Sequence, residues 1–98
     1  MRILLACGAG LSTSVLMKKI QKWCDANGEK LTISAMATTS IGEIWKDYDC
    51  ILVGPQVSYR LPSLKKEVGI PVESIPSLDY AVGNAENIMK LAHKITGI

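Results

Sequence analysis

Four short apolar runs punctuate this chain, and between them apolar residues recur every three or four positions. Residues 2–6, RILLA, are short and apolar and predict a buried strand whose exposed start is Arg2. From Ser12 or Thr13 to Ala26 a helix is predicted. Leu16, Ile20, Trp23 and Cys24 share its apolar face, while Lys18, Lys19, Gln21, Lys22 and Asp25 cover the other. Asn27-Gly28 is a helix stop. Residues 31–37, LTISAMA, alternate in polarity and predict a second strand with one face less buried. Ser40-Ile41-Gly42-Glu43 has the form of a capping box, opening a short helix that reaches about Tyr48. Residues 50–53, CILV, predict a third strand, broken by Gly54-Pro55. Val57, Leu61, Leu64 and Val68 keep helical spacing within 56–68, with Pro62 inside the pattern. Either the helix starts near Leu61 with the proline in its first turn, or it is kinked at the proline. Residues 71–75, PVESI, predict the fourth strand. One last helix is expected from about Tyr80 to Lys94, buried through Ala81, Ala85, Ile88, Ala92 and Ile95 and capped by Asp79 or Ser77.

Strand and helix alternate throughout. The expected fold class is therefore α/β, a four-stranded parallel sheet with helices on both faces, doubly wound in the flavodoxin or Rossmann manner. The expected strand order is 2-1-3-4, and residues 1–98 form one domain. Ligands of such sheets bind beyond the carboxyl ends of the strands, where the winding reverses, here between strands 1 and 3. That brings the loop from Cys7 to Thr13 beside the loop from Gly54 to Tyr59, and so Gln56, Ser58 and Tyr59 near Cys7. Thr38-Thr39 and the segment from Pro76 to Asp79 end the other strands on the same edge, farther out.

Composition narrows the chemistry. Apolar residues are 48% and charged residues 20%, an ordinary globular balance. Net charge is +2, the basic residues are scattered, and there are two Trp, three Tyr and no Phe, which argues against nucleic acid as a partner. No apolar run approaches the ~20 residues of a membrane span. The amino-terminal pattern is not that of a signal peptide, so a cytoplasmic chain without direct membrane insertion is expected. Three cysteines without close spacing, and one histidine, leave no disulfide framework, redox pair or zinc site. Nothing calls for a metal or a cofactor. Cys24 and Cys50 read as core. His93 is expected to meet the helix dipole or solvent. Trp23, Trp45, Tyr48 and Tyr80 read as packing residues.

The chemistry concentrates in residues 2–16. A strand ends at Cys7, a loop rich in small and hydroxyl residues follows, and a helix begins. That order aims backbone N–H groups and the positive end of a helix dipole at one point. An anion there would be held by the backbone amides of Gly8, Ala9, Gly10, Leu11, Ser12, Thr13 and Ser14, and the Cys7 thiol would be acidified. A dinucleotide loop would need a third glycine where Thr13 stands, and an acid where Thr38 and Thr39 end strand 2. A low-molecular-weight cysteine phosphatase would need arginine at Thr13 to hold the transferring phosphoryl group. Two readings use the loop as it stands. One is a cysteine that carries a phosphoryl group in relay, where a missing arginine and a missing acid favour persistence over hydrolysis. The other is an anion-binding module in which Cys7 is merely packed.

Residues 3–16, ILLACGAGLSTSVL, and 51–59, ILVGPQVSY, together resemble the IIB component of the bacterial phosphoenolpyruvate-dependent sugar phosphotransferase system, in its lactose/cellobiose/chitobiose class. The resemblance extends over nearly the whole chain. It implies that Cys7 takes a phosphoryl group from the phosphohistidine of a IIA protein. It also implies transfer to a sugar, such as cellobiose, chitobiose or lactose, held by the IIC membrane component. The hydroxyls of Ser12, Thr13 and Ser14 would help the amides cradle the phosphate, and Gln56 and Tyr59 would line the site or a docking face.

Overall fold

The computed structural model describes residues 1–7, 11–37 and 41–98, and leaves aside the side chains of Cys7, Leu11, Ser12, Thr13 and Ala37. In chain order the elements are β1 (Arg2–Cys7), α1 (Leu11–Ala26), β2 (Thr32–Ala37), α2 (Ile41–Ile44), β3 (Cys50–Val53), α3 (Leu61–Glu67), β4 (Val72–Ser74), α4 (Ser77–Val82) and α5 (Ala85–Thr96). The strands pair in parallel in the order β2-β1-β3-β4, as the alternation of elements predicts.

The pleat of the two central strands explains their continuous apolar sequence. Along β1, Ile3 and Leu5 face one side of the sheet and Leu4 and Ala6 the other. β3 repeats this, with Cys50 and Leu52 on the first side and Ile51 and Val53 on the second. The first side packs against Leu16, Ile20 and Cys24 of α1 and against Ile88, Met89 and Ala92 of α5. The second packs against Ile41 of α2, Leu64 of α3 and the buried Val57 and Val68. Each fully buried Leu or Ile contributes roughly 1.5–3 kcal/mol, so these two cores carry the fold. β2 is an edge strand, and its Thr32 and Met36 are exposed.

The sequence pattern overran at the last helix. Two helices stand where one was expected, because Gly83 adopts φ +66° and ends α4, and Asn84 starts α5. The Asn84 side chain accepts a hydrogen bond from the Asn87 amide at 3.1 Å. Neither Asp79 nor Ser77 caps a helix: both lie inside α4, which begins after Pro76 without a side-chain cap. Ala81 is exposed, and Met89 takes a buried place that the pattern did not assign.

Pro62 lies in the first turn of α3, which opens at Leu61, so the first of the two proline arrangements holds. Residues Pro55–Arg60 before it form tight 3-10 turns, interrupted at Val57 (φ −122°, ψ 19°). α2 stops at Ile44 and a 3-10 turn, Trp45–Asp47, completes the short second helix. Ser40, the expected cap there, lies outside the described residues, as do Thr38 and Thr39. β4 is shorter than predicted, yet the Ile75 amide still donates to the Val53 carbonyl at 2.8 Å.

The amino ends of the strands are tied together. The Arg2 amide donates to Asp49 Oδ2 at 2.7 Å, and the Asp49 amide donates to the Arg2 carbonyl at 2.8 Å. The Met1 ammonium donates to the Lys30 carbonyl at 3.0 Å. His93 lies in the last turn of α5 and is partly exposed, as expected, and its Nε2 also meets Glu29 Oε1 at 2.9 Å. A cavity of about 310 Å³ at this end is lined by Met1, Glu29, Lys30, Met89, His93 and Ile98.

Candidate functional site

β1 delivers Cys7 to the carboxyl edge of the sheet, in register with Ala37 of β2 and one residue past the Ala6–Val53 pair. α1 opens at Leu11, and its 16 residues align their peptide dipoles with the positive end near that edge. The first turn holds no acidic residue, so nothing there opposes an anion. Gly8, Ala9 and Gly10 of the expected phosphate cradle lie outside the described residues. Leu11, Ser12 and Thr13 lie in the first turn of α1, with side chains outside the description, and Ser14 follows on an exposed position.

The loop after β3 reaches this edge through Gly54. Its amide donates to the Ala6 carbonyl at 3.0 Å, next to Cys7. Gly54 is buried, and its φ of −66° is open to any residue. What favours glycine is space. A Cβ would lie 2.9 Å from Gln56 Oε1, 3.5 Å from Tyr80 Cε2 and 3.7 Å from the Ala6 carbonyl oxygen. Gln56 is thereby folded back to the end of β1.

Of the three flanking residues expected in this loop, Gln56 alone is gathered into a cavity at the edge. That cavity, of about 490 Å³, is lined by Val15, Leu16, Lys19, Gln56, Tyr80, Ala81 and Gly83. Ser58 instead donates its hydroxyl to the Pro55 carbonyl at 3.0 Å, closing the 3-10 turn. Tyr59 is 75% exposed, and neither it nor Ser58 lines the cavity.

Two cavity residues were read from the sequence as packing or solvated. Tyr80 reaches the edge because α4 begins at Ser77, only two residues beyond β4, and places Tyr80 against Gly54. The segment from Pro76 to Asp79 does not itself line the cavity; Tyr80, which follows it, does. Lys19 lies on the polar side of α1, but its ammonium donates to the Val82 carbonyl at 3.4 Å and its carbons cross Gly83. The available signal was positional: both residues belong to elements that start at the carboxyl edge.

The other two thiols are sequestered. Cys24 and Cys50 are both fully buried in the core. Burial, and then the nearby Glu29 and Asp25 carboxylates, push the Cys24 thiol up to about 11. Burial and Asp49 push Cys50 up to about 12. Neither forms a nucleophilic thiolate near neutral pH. Among the described residues no cluster of three His, Cys, Asp or Glu could hold a metal, and no helix is long and apolar enough to cross a membrane.

Residues 2–91 match the family model for the lactose/cellobiose-specific IIB subunit of the PTS, the sugar phosphotransferase system. The chain belongs to this family. IIB components of this system are phosphotransferases that relay phosphoryl groups to sugar, and they work with IIA and IIC components. The chain is 33% identical over 94 residues to the oligo-beta-mannoside-specific EIIB component of Bacillus subtilis, an alignment covering 93% of this chain and 91% of that protein. It is 32% identical over 101 residues to the cellobiose-specific EIIB component of Lactococcus lactis subsp. lactis, covering 95% and 94%. The solution structure of a cellobiose-specific phosphotransferase IIB component from Borrelia burgdorferi superposes with a TM-score of 0.83 at 38% identity, over 99% of this chain and 92% of that one. The lactose-specific IIB domain of Streptococcus pneumoniae superposes at 0.80 with 16% identity, over 92% and 95%, and shares the fold.

Proposed function

We propose that residues 1–98 act as one phosphoryl-carrier unit on the cytoplasmic side, with Cys7 as the carrier. Cys7 attacks the phosphorus of a IIA phosphohistidine, the P–N bond breaks, and the histidine nitrogen leaves. The sugar hydroxyl bound by a IIC permease then attacks the phosphocysteine, the P–S bond breaks, and the thiolate returns. Backbone amides from Gly8 to Ser14, with the hydroxyls of Ser12, Thr13 and Ser14, hold the phosphoryl oxygens. Gln56 flanks them, and Ser58 and Tyr59 remain available to a docking partner. The acceptor is a β-linked disaccharide such as cellobiose, chitobiose or lactose, a class that includes the cellobiose named for one relative.

One observation carries the assignment to Cys7: Cys24 and Cys50 are buried with thiols pushed up to about 11 and 12, so they are unsuited to the step. The experiment is incubation with a phosphorylated IIA protein followed by intact mass. One phosphoryl group should appear on the wild type and none on Cys7→Ser. A Cys7→Ser protein that still gains a labile phosphoryl group sinks the assignment.

A further inference from the structure

A strip of surface runs from the carboxyl-edge cavity along the outer side of α1. Val15, 58% exposed, and Ala81, also exposed, both line that cavity. Val15 and Lys19 are shared by two adjoining hollows. One is the 490 Å³ cavity with Gln56 and Tyr80; the other, of about 460 Å³, is lined further by Lys18, Gln21, Lys22 and Asp25. Among the described residues no carboxylate pairs with Lys18, Lys19 or Lys22. Asp25 accepts instead from Gln21 Nε2 at 3.0 Å. Lys90 of α5, by contrast, has its own partner in Glu86 at 3.6 Å. In a chain with a net charge of +2, three ammonium groups within about a turn of one helix, against the single Asp25 carboxylate in the same hollow, are a local excess.

We propose that this strip is the docking surface for the protein that hands over the phosphoryl group. The donor surface it fits carries an apolar side chain ringed by aspartate or glutamate. The apolar group enters between Val15 and Ala81, and the carboxylates face Lys18 and Lys22. The proposal rests on the relay reading of Cys7.

Reach supports it. A helix rises ~1.5 Å per residue, which puts Val15 ~6 Å, Lys19 ~12 Å and Lys22 ~17 Å along the axis from Leu11. A standard interface covers ~800 Å² per partner, a disc of ~16 Å radius. A footprint centred at the amino end of α1, beside Cys7, therefore takes in Val15, Lys18 and Lys19 and has its rim at about Lys22. Charge of one sign beside a reactive centre also speeds encounter with an oppositely charged partner. Three lysines would attract anionic lipid as well, but a cavity walled by Val15, Leu16, Tyr80 and Ala81 beside them suits the side chains of a folded partner better than a layer of headgroups.

The test is the dissociation constant of the full chain for an unphosphorylated IIA protein of the lactose/cellobiose class, by calorimetry at two salt concentrations. The rate of Cys7 phosphorylation by the phosphorylated donor is measured in parallel. Lys18→Glu/Lys22→Glu should weaken binding about tenfold or more and flatten its salt dependence. Val15→Glu should weaken it too, while Lys65→Glu/Lys66→Glu on α3 should leave it unchanged. Urea midpoints confirm that each variant is folded. Unchanged binding in the α1 variant, equal weakening in the α3 variant, or no binding by the wild type overturns the proposal. So does a wild type that binds phosphatidylserine vesicles through these lysines while its IIA affinity ignores them. Failure of the relay reading looks different: binding depends on Lys18 and Lys22, yet no phosphoryl group reaches Cys7.

Discussion

The Gly54 amide donates to the Ala6 carbonyl at 3.0 Å, fastening the turn after β3 to the residue ahead of Cys7. A methyl group at Gly54 would stand 2.9 Å from Gln56 Oε1 and only in ordinary contact with Tyr80. Gln56 is exposed and can swing away, so Gly54→Ala should cost less than about 1 kcal/mol in stability. It should nevertheless slow Cys7 phosphorylation several-fold, because Gln56 leaves the edge. Gln56→Ala in the same assay should reproduce the slowing. A variant that keeps the wild-type rate would remove Gln56 from the site.

Gly83 is constrained twice, by its φ of +66° and by the Lys19 chain, whose Cδ would lie 2.6 Å from an added Cβ. Gly83→Ala should lose about 1–2 kcal/mol from the left-handed backbone alone, with the Lys19 contact adding to it. Lys19→Ala in that background should relieve the clash and leave the backbone cost. Urea denaturation of the two single variants and the double variant measures the coupling.

Asn84 is the one side-chain cap seen on α5. Asn84→Ala should lower stability by about 1 kcal/mol, and Asn84→Asp should retain most of it. Both values are read from denaturation midpoints at constant m.

Alkaline pH should weaken the fold through its buried thiols. Cys24 and Cys50 are raised from 9.0 to about 11 and about 12, so above pH 9 the unfolded chain has released protons that the folded chain still holds. Their contribution is complete below pH 9 and is lost as pH rises toward 11 for Cys24 and 12 for Cys50. The urea midpoint should fall across that window, and Cys24→Ala/Cys50→Ala should flatten the fall. An equal slope in both proteins would assign the loss to other groups.

The strand order was legible because β1 and β3 are apolar at every buried position, which only doubly covered central strands require. The location of Cys7 and Gln56 followed from that order alone. The break at Gly83-Asn84 was not legible from spacing. Apolar residues continue at three- and four-residue steps across it, and the left-handed glycine and the asparagine cap decide the outcome locally. Tyr80 packs against the core as its sequence reading expects, but its further place in the cavity was hidden for a related reason. That place depends on α4 setting Tyr80 against Gly54, a tertiary contact that no periodicity carries. Lys19 looked like any helix-surface lysine until Val82 and Gly83 were seen beneath its chain.

Met1 and Ile98, near the two chain ends, border one small cavity at the amino ends of the strands. β1 places that cavity ~20 Å from Cys7, at the far end of the sheet. A tether attached at either terminus, to a bead, a surface or a second domain, therefore leaves the cysteine edge facing outward. Immobilised chains should remain as accessible to a docking protein as free ones, whichever end is held.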